Sequence, residues 1–238
     1  MVLDSNTINM NIVAIDFSLN SPGIVISKKD SVHFISYIKD GIGTKAETKM
    51  NEELALCKDI TFQIQPAFTT SKDFSEKEIS KLKRFITMAK DMIEMIQLHI
   101  DSSEPTIFGF EGVSYGSGGG GTNNLIDLAA AAAIFKFCLL QKFKHEDTNI
   151  VTVAPTTIKK HAGSGRLKKR ELWDVFVENQ LNDSLLNENS VWDFARNLKI
   201  GVKVPKPFDD LIDAYFLASY LRALWCFKPF PIITFHRR

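Results

Sequence analysis

The strongest constraint on this chain is that its most strand-like segments end in acids. Asn11 to Asp16 (NIVAID) and Thr106 to Glu111 (TIFGFE) are short runs of β-branched, aliphatic and aromatic residues, the composition of buried strands, and each closes on a carboxylate. A third acid, Asp213, lies inside the apolar run LIDAYFLASYL, and Asp210 precedes it by three residues, a spacing that turns both toward one side of a helix. Carboxylates gathered away from water raise one another's pKa and add a desolvation cost, so acids at such positions call for a compensating cation. Hard divalent ions such as Mg²⁺ take oxygen ligands, and two of them roughly 3.5 to 4 Å apart activate a water and stabilise the leaving oxygen of a phosphodiester. Each acid also has a plainer role. Asp16 would bond the amides of its own turn, Glu111 would be a solvated strand end, Asp209 and Asp210 would cap a helix start, and Asp213 would be one exposed position on an amphipathic helix.

Around these acids the pattern alternates between strand and helix periods. Strands are expected at Asn11 to Asp16, Ile24 to Ser27 and Val32 to Ile38, then at Thr106 to Phe110 and Asn149 to Val153. Ile79, Leu82, Phe85, Ile86, Ala89, Ile93, Ile96 and Ile100 recur at the spacing of one helical face between Lys77 and Ile100. An Ala-rich helix follows from Thr122 or Asn123 to about Phe143, and Pro155 opens a short helix that the glycines of HAGSGRLKKREL stop. Further helices are expected over Lys168 to Leu181 and from about Asp209 to Trp225. Lys39 to Ser75 has no clear period apart from a short helix near Asn51 to Ile60. The expected fold is α/β, a mixed sheet of three antiparallel strands followed by parallel strands and flanked by helices. At 238 residues the length favours one domain over 1–238, with insertions near 39–75 and 182–206.

A net charge of +1 neither demands nor excludes nucleic acid, so the distribution of Lys and Arg decides. Lys159, Lys160, Arg166, Lys168, Lys169 and Arg170 cluster about a glycine-containing break, a candidate phosphate-contact surface as well as an ordinary solvated face. Lys199, Lys203 and Lys206 form a second patch of the same ambiguity. Tyr115, ahead of the glycine run Gly116 to Gly121, is a candidate to stack on an unpaired base. Cys57, Cys138 and Cys226 form no CxxC pair, which fits three free thiols in a reducing, cytoplasmic setting rather than a zinc site. The N-terminal MVLDSNTINM lacks a secretory or mitochondrial pattern. Leu125 to Leu140 is interrupted by Asp127 and Lys136 and is too short to span a bilayer.

Three segments together resemble the RuvC-type Holliday junction resolvases of the RNase H-like nuclease superfamily. IVAIDFSLNSPGIVI is similar to the family's first hairpin, FGFEGV to its second acidic strand, and DDLIDAYFLA to its C-terminal helix, while VAPTTIKKHAGSGRLKKREL resembles the segment between them. The resemblance spans Asn11 to Ser219. It implies an RNase H-like fold, two Mg²⁺ ions (Mn²⁺ as substitute) ligated by Asp16, Glu111, Asp210 and Asp213, and a homodimer that cuts branched DNA by paired symmetrical nicks. Asp209 would lie outside the metal ligands. The long 39–75 segment, the glycine-rich loop and the added length from Asn182 to Lys206 depart from the family pattern, which puts dimer geometry and substrate preference in question.

Other readings differ in what they require. A nuclease of flaps or of RNA:DNA hybrids would carry almost the same acids, and a non-catalytic junction-binding protein would have no need of all four. AIDFSLNSPG also resembles the first phosphate-binding hairpin of the actin and sugar-kinase group, but a second such hairpin is absent from the sequence.

Overall fold

A computed structural model describes residues 10–39, 44–65, 72–112, 122–143, 148–179, 183–201 and 203–226. Six strands form one sheet: β1 (Asn11–Asp16), β2 (Gly23–Ser27), β3 (Val32–Lys39), β4 (Ile60–Gln65), β5 (Thr106–Glu111) and β6 (Thr148–Val153), in the order β4-β3-β2-β1-β5-β6. β2 runs antiparallel to both β1 and β3, whereas β5 lies parallel to β1 and β6 parallel to β5. The expected mixed sheet is therefore present, extended at one edge by β4, which pairs parallel to β3.

Helices cover both faces. On one side lie α2 (Phe74–His99) and α3 (Thr122–Lys142). On the other are α4 (Pro155–His161), α5 (Lys169–Glu178), α6 (Ser190–Asn197) and α7 (Phe208–Cys226), while α1 (Lys45–Leu54) sits ahead of β4. Alternation along β1 divides the core. Val13 and Ile15 pack with Phe85, Met92, Ile96 and Phe135 under α2 and α3, and Ile12 and Ala14 pack with Leu211, Tyr215 and Leu217 under α7.

The 39–75 segment differs from expectation. Its helix begins at Lys45 because Thr44 and Glu47 form a reciprocal capping box, and it ends at Leu54. Residues beyond it form the strand β4, whose ITFQIQ alternation is exposed at Ile64 as an edge strand permits. The 182–206 stretch contributes α6, capped by the Asn189 side chain on the amides of Val191 and Trp192, with Trp192 buried against α5. Ile79, Leu82 and Ile86 belong by spacing to the apolar face of α2. They are 52%, 48% and 41% exposed, whereas Phe85, Met88, Ala89, Met92, Ile93 and Ile96 are buried. Cys57 and Cys138 are free thiols, and the Cys226 side chain lies outside the described residues. Among the described residues no helix is long and apolar enough to cross a membrane.

Two glycines set the depth at which α7 lies on the sheet. A Cβ on Gly109 of β5 would come within 2.3 Å of a Leu221 methyl, and one on Gly23 of β2 within 2.8 Å of the Asp210 carbonyl carbon. At Gly23 the obstacle is backbone, so a methyl there must push the first turn of α7 off the sheet. Gly23→Ala should destabilise the protein by about 1–3 kcal/mol, the range for overpacking a tight contact. Chemical denaturation checks this, and an unchanged midpoint would mean that the approach is not tight.

Candidate metal centre

The register of the parallel strands places two acids side by side. Ile15 lies beside Phe110 in the β1/β5 ladder, so Asp16 and Glu111, the next residues of each strand, emerge at the same sheet end. Alternation turns Asp16 to the face of Ala14 and Glu111 to the face of Gly109, which is the face covered by α7. Asp16 also lies opposite Gly23 in the β1/β2 ladder, the glycine on which the first turn of α7 rests. One turn further along α7 is Asp213. One carboxylate oxygen from each of Asp16, Glu111 and Asp213 lies within 4.8 Å of the others, close enough for one ion to touch all three.

Electrostatics follows from this convergence. Burial, then the charges of Asp213, Asp210 and Glu111, raise the Asp16 pKa well above the ordinary carboxylate value. Burial followed by Asp213 pushes Glu111 up to about 7, and burial raises Asp213 as well. Each of these carboxylates is disfavoured in its charged form, and a cation placed among them relieves that cost. The donors are all carboxylate oxygens, with no imidazole or thiolate among them, which suits a hard divalent ion such as Mg²⁺. An ammonium group already sits in the cluster: Lys169, expected among the phosphate contacts, donates to an Asp213 carboxylate oxygen and to the Asp209 carbonyl at 2.9 Å. The residues present therefore attract positive charge and fit a hard metal ion.

Asp210, grouped with the trio on sequence grounds, is held differently. It is 5% exposed, and Lys206 reaches both of its carboxylate oxygens at 2.5 and 2.6 Å, while the Ser21 hydroxyl donates to one of them at 3.0 Å. Burial and the neighbouring Asp209 raise its pKa to about 6. It is close enough to the trio for its charge to raise Asp16, but it belongs to a second cluster with Asp209 and Lys206. Lys206, part of the second basic patch in sequence, is thus a carboxylate partner. The KPFDD spacing, a Lys four residues ahead of an Asp at a helix start, was the available signal.

Lys159 and Lys160 end α4, which packs on α7, and the charge of Lys159 is felt by both Glu111 and Asp213. Lys160, Arg166 and Lys168 are exposed. Arg170 is committed within the fold, to Asp174 at 3.1 Å and to the Gly201 carbonyl at 2.9 Å. Tyr115 and the loop Gly116 to Gly121 lie outside the described residues. Asp127 pairs with Lys81, and His161 bonds Ser219, so neither joins the trio.

No family model matches the sequence, and no curated protein matches it. Among solved structures the chain is similar to the yeast mitochondrial Holliday junction resolvase Ydc2, at 16% identity and a TM-score of 0.49, covering 89% of this chain and 77% of that one. It is also similar to Thermus thermophilus RuvC, at 10% identity and a TM-score of 0.44 over 90% of this chain and 96% of that one. The same protein in complex with a Holliday junction substrate matches at 10% identity and a TM-score of 0.45, over 93% and 99%.

The raised carboxyls make stability depend on pH. A group whose folded pKa lies above its unfolded value stabilises the fold fully below the unfolded value and loses that contribution as pH rises through the folded one. For Glu111 the window runs from 4.5 to about 7, and for Asp210 from 3.8 to about 6. His33, stacked on His99 and lowered by burial to about 4, acts oppositely, but its contribution is complete above its ordinary 6.5. With the His33 contribution complete, the metal-free protein should lose thermal stability as pH rises from about 6.5 through about 7, where Glu111 titrates, and Glu111→Gln should flatten that slope. Melting curves in chelator check this, and a stability that climbs through the interval would contradict the convergence of buried acids.

Proposed function

We propose that this chain is a divalent-metal-dependent endonuclease that cleaves branched DNA, resolving four-way junctions by paired symmetrical nicks. The observation that supports it most is the meeting of Asp16, Glu111 and Asp213, from two strands and a helix, within reach of one ion. Asp16, Glu111 and Asp213 would hold the metal, with Asp210 as the further ligand the resemblance implies. The ions, Mg²⁺ or Mn²⁺, supply activation of a water and neutralisation of charge on the phosphodiester. In the reaction a water oxygen bonds to phosphorus as the P–O3′ bond breaks, leaving a 5′-phosphate and a 3′-hydroxyl.

The chain's own residues bring the strand to that point. Lys159, whose charge reaches Glu111 and Asp213, would contact backbone phosphates together with Lys160, Arg166 and Lys168, a sequence-independent hold that positions the strand. Lys169 and Arg170 belong to the same proposed surface through their sequence position, although both are engaged by acids of the chain itself. Tyr115 is proposed to stack on an opened base. Two symmetrical nicks need two centres, and a homodimer supplies them with the two-fold symmetry of the substrate. The exposed stripe Ile79, Leu82 and Ile86 on α2 is an apolar surface that a second copy would cover.

The test offers the purified protein a four-way junction, a flap, a linear duplex and an RNA:DNA hybrid, with Mg²⁺ or with chelator. Paired nicks at symmetric positions of the junction, only with metal and lost in Asp16→Asn, are the expected result. The loss should exceed roughly 10²-fold, as expected for removal of a group that holds transition-state charge. Undiminished cutting by Asp16→Asn would overturn the metal centre, and preferential cutting of the hybrid or flap would overturn the junction as substrate.

A further inference from the structure

Lys169 is placed unusually for a residue of a phosphate-binding surface. Its ammonium lies on Asp213, one of the three acids that converge, and on the carbonyl of Asp209 in the first turn of α7. It is the first residue of α5, which packs on α7, so its backbone is anchored next to the helix that carries Asp213. The side chain is nevertheless 44% exposed, against 12% for Asp213, so the ammonium can swing outward without breaking the core. Burial of the carboxylates and the absence of nitrogen or sulfur donors mean that any positive charge entering the cluster stabilises it.

Both cations draw on the Asp213 carboxylate, and a divalent ion seated among the three acids would repel the ammonium that lies there. The ion brings twice the charge and reaches three carboxylates together, whereas Lys169 directly pairs with one. We propose that Lys169 is an internal counter-cation of the acidic cluster, displaced from Asp213 when a divalent ion binds and thereby freed to contact a DNA phosphate beside it. The metal-free protein is kept from accumulating unpaired buried charge, and the loaded protein gains a positive group at the place where a polyanion arrives. Lys206 differs in its setting, since it bridges Asp209 and Asp210 rather than a member of the trio. Lys159 acts on Glu111 and Asp213 through space, which makes it the control for charge alone.

This inference rests on the metal-centre reading, and two measurements that need no cleavage test it. The first is amine labelling of the folded wild-type protein by an acetylating reagent, read by mass spectrometry with and without saturating Mn²⁺, taking exposed Lys168 as internal reference. Labelling of Lys169 should rise several-fold with Mn²⁺ relative to Lys168. The second is Mn²⁺ affinity by calorimetry. If Lys169 holds Asp213 in about nine of ten molecules, its removal in Lys169→Met tightens the apparent affinity about tenfold, with a smaller gain for Lys159→Met. Mn²⁺ binding with no change in Lys169 labelling, or equal gains in the two variants, would overturn the displacement while leaving the metal centre standing. Failure of the wild-type protein to take up Mn²⁺ would remove the centre and the displacement together.

Discussion

The structure turns on the cost of holding three carboxylates against one another at the end of a sheet. Asp16 and Glu111 are placed there by parallel register and Asp213 by the seating of α7, so none can retreat without disturbing a strand ladder or the core beneath the helix. Gly23 and Gly109 make the arrangement tighter by letting α7 lie closer to the sheet than any side chain there would allow. Packing energy is thus used to enforce an electrostatically unfavourable meeting. Such a meeting persists in a fold when a bound cation makes it favourable.

The protein moderates that cost with its own charges. Lys169 neutralises part of the trio, and Lys206 with Ser21 takes up Asp210, which separates the four acids into two linked clusters. Asp16 is affected by Asp213 and Asp210 together, so the clusters remain electrostatically connected. A change at either lysine will therefore be felt at the other acids as well as at its immediate partner.

Much of this was legible in the sequence because the signals were local. The acids at strand ends follow from apolar runs that stop on a charge, and the i, i+3 spacing of Asp210 and Asp213 correctly places both on one helix. Which acids meet was less legible. Sequence spacing groups Asp210 with Asp213, whereas the contact made by Lys206 depends on how the chain enters α7. Lys169 read as a phosphate contact because its partner lies 44 residues away. The strand β4 has an alternation in ITFQIQ, but its flanks carry weak turn signals and leave it without clear bounds in the sequence. On α2 the periodicity identifies an apolar face, but which of its residues are buried is a tertiary property.

The central claim is that one cation is held by Asp16, Glu111 and Asp213 together. Anomalous diffraction from crystals grown with Mn²⁺ tests it most directly. A peak bounded by oxygens of all three side chains, at about 2.1 Å from each, is the predicted result. Well-ordered acids with no peak between them, or Mn²⁺ bound only elsewhere on the protein, would contradict the account.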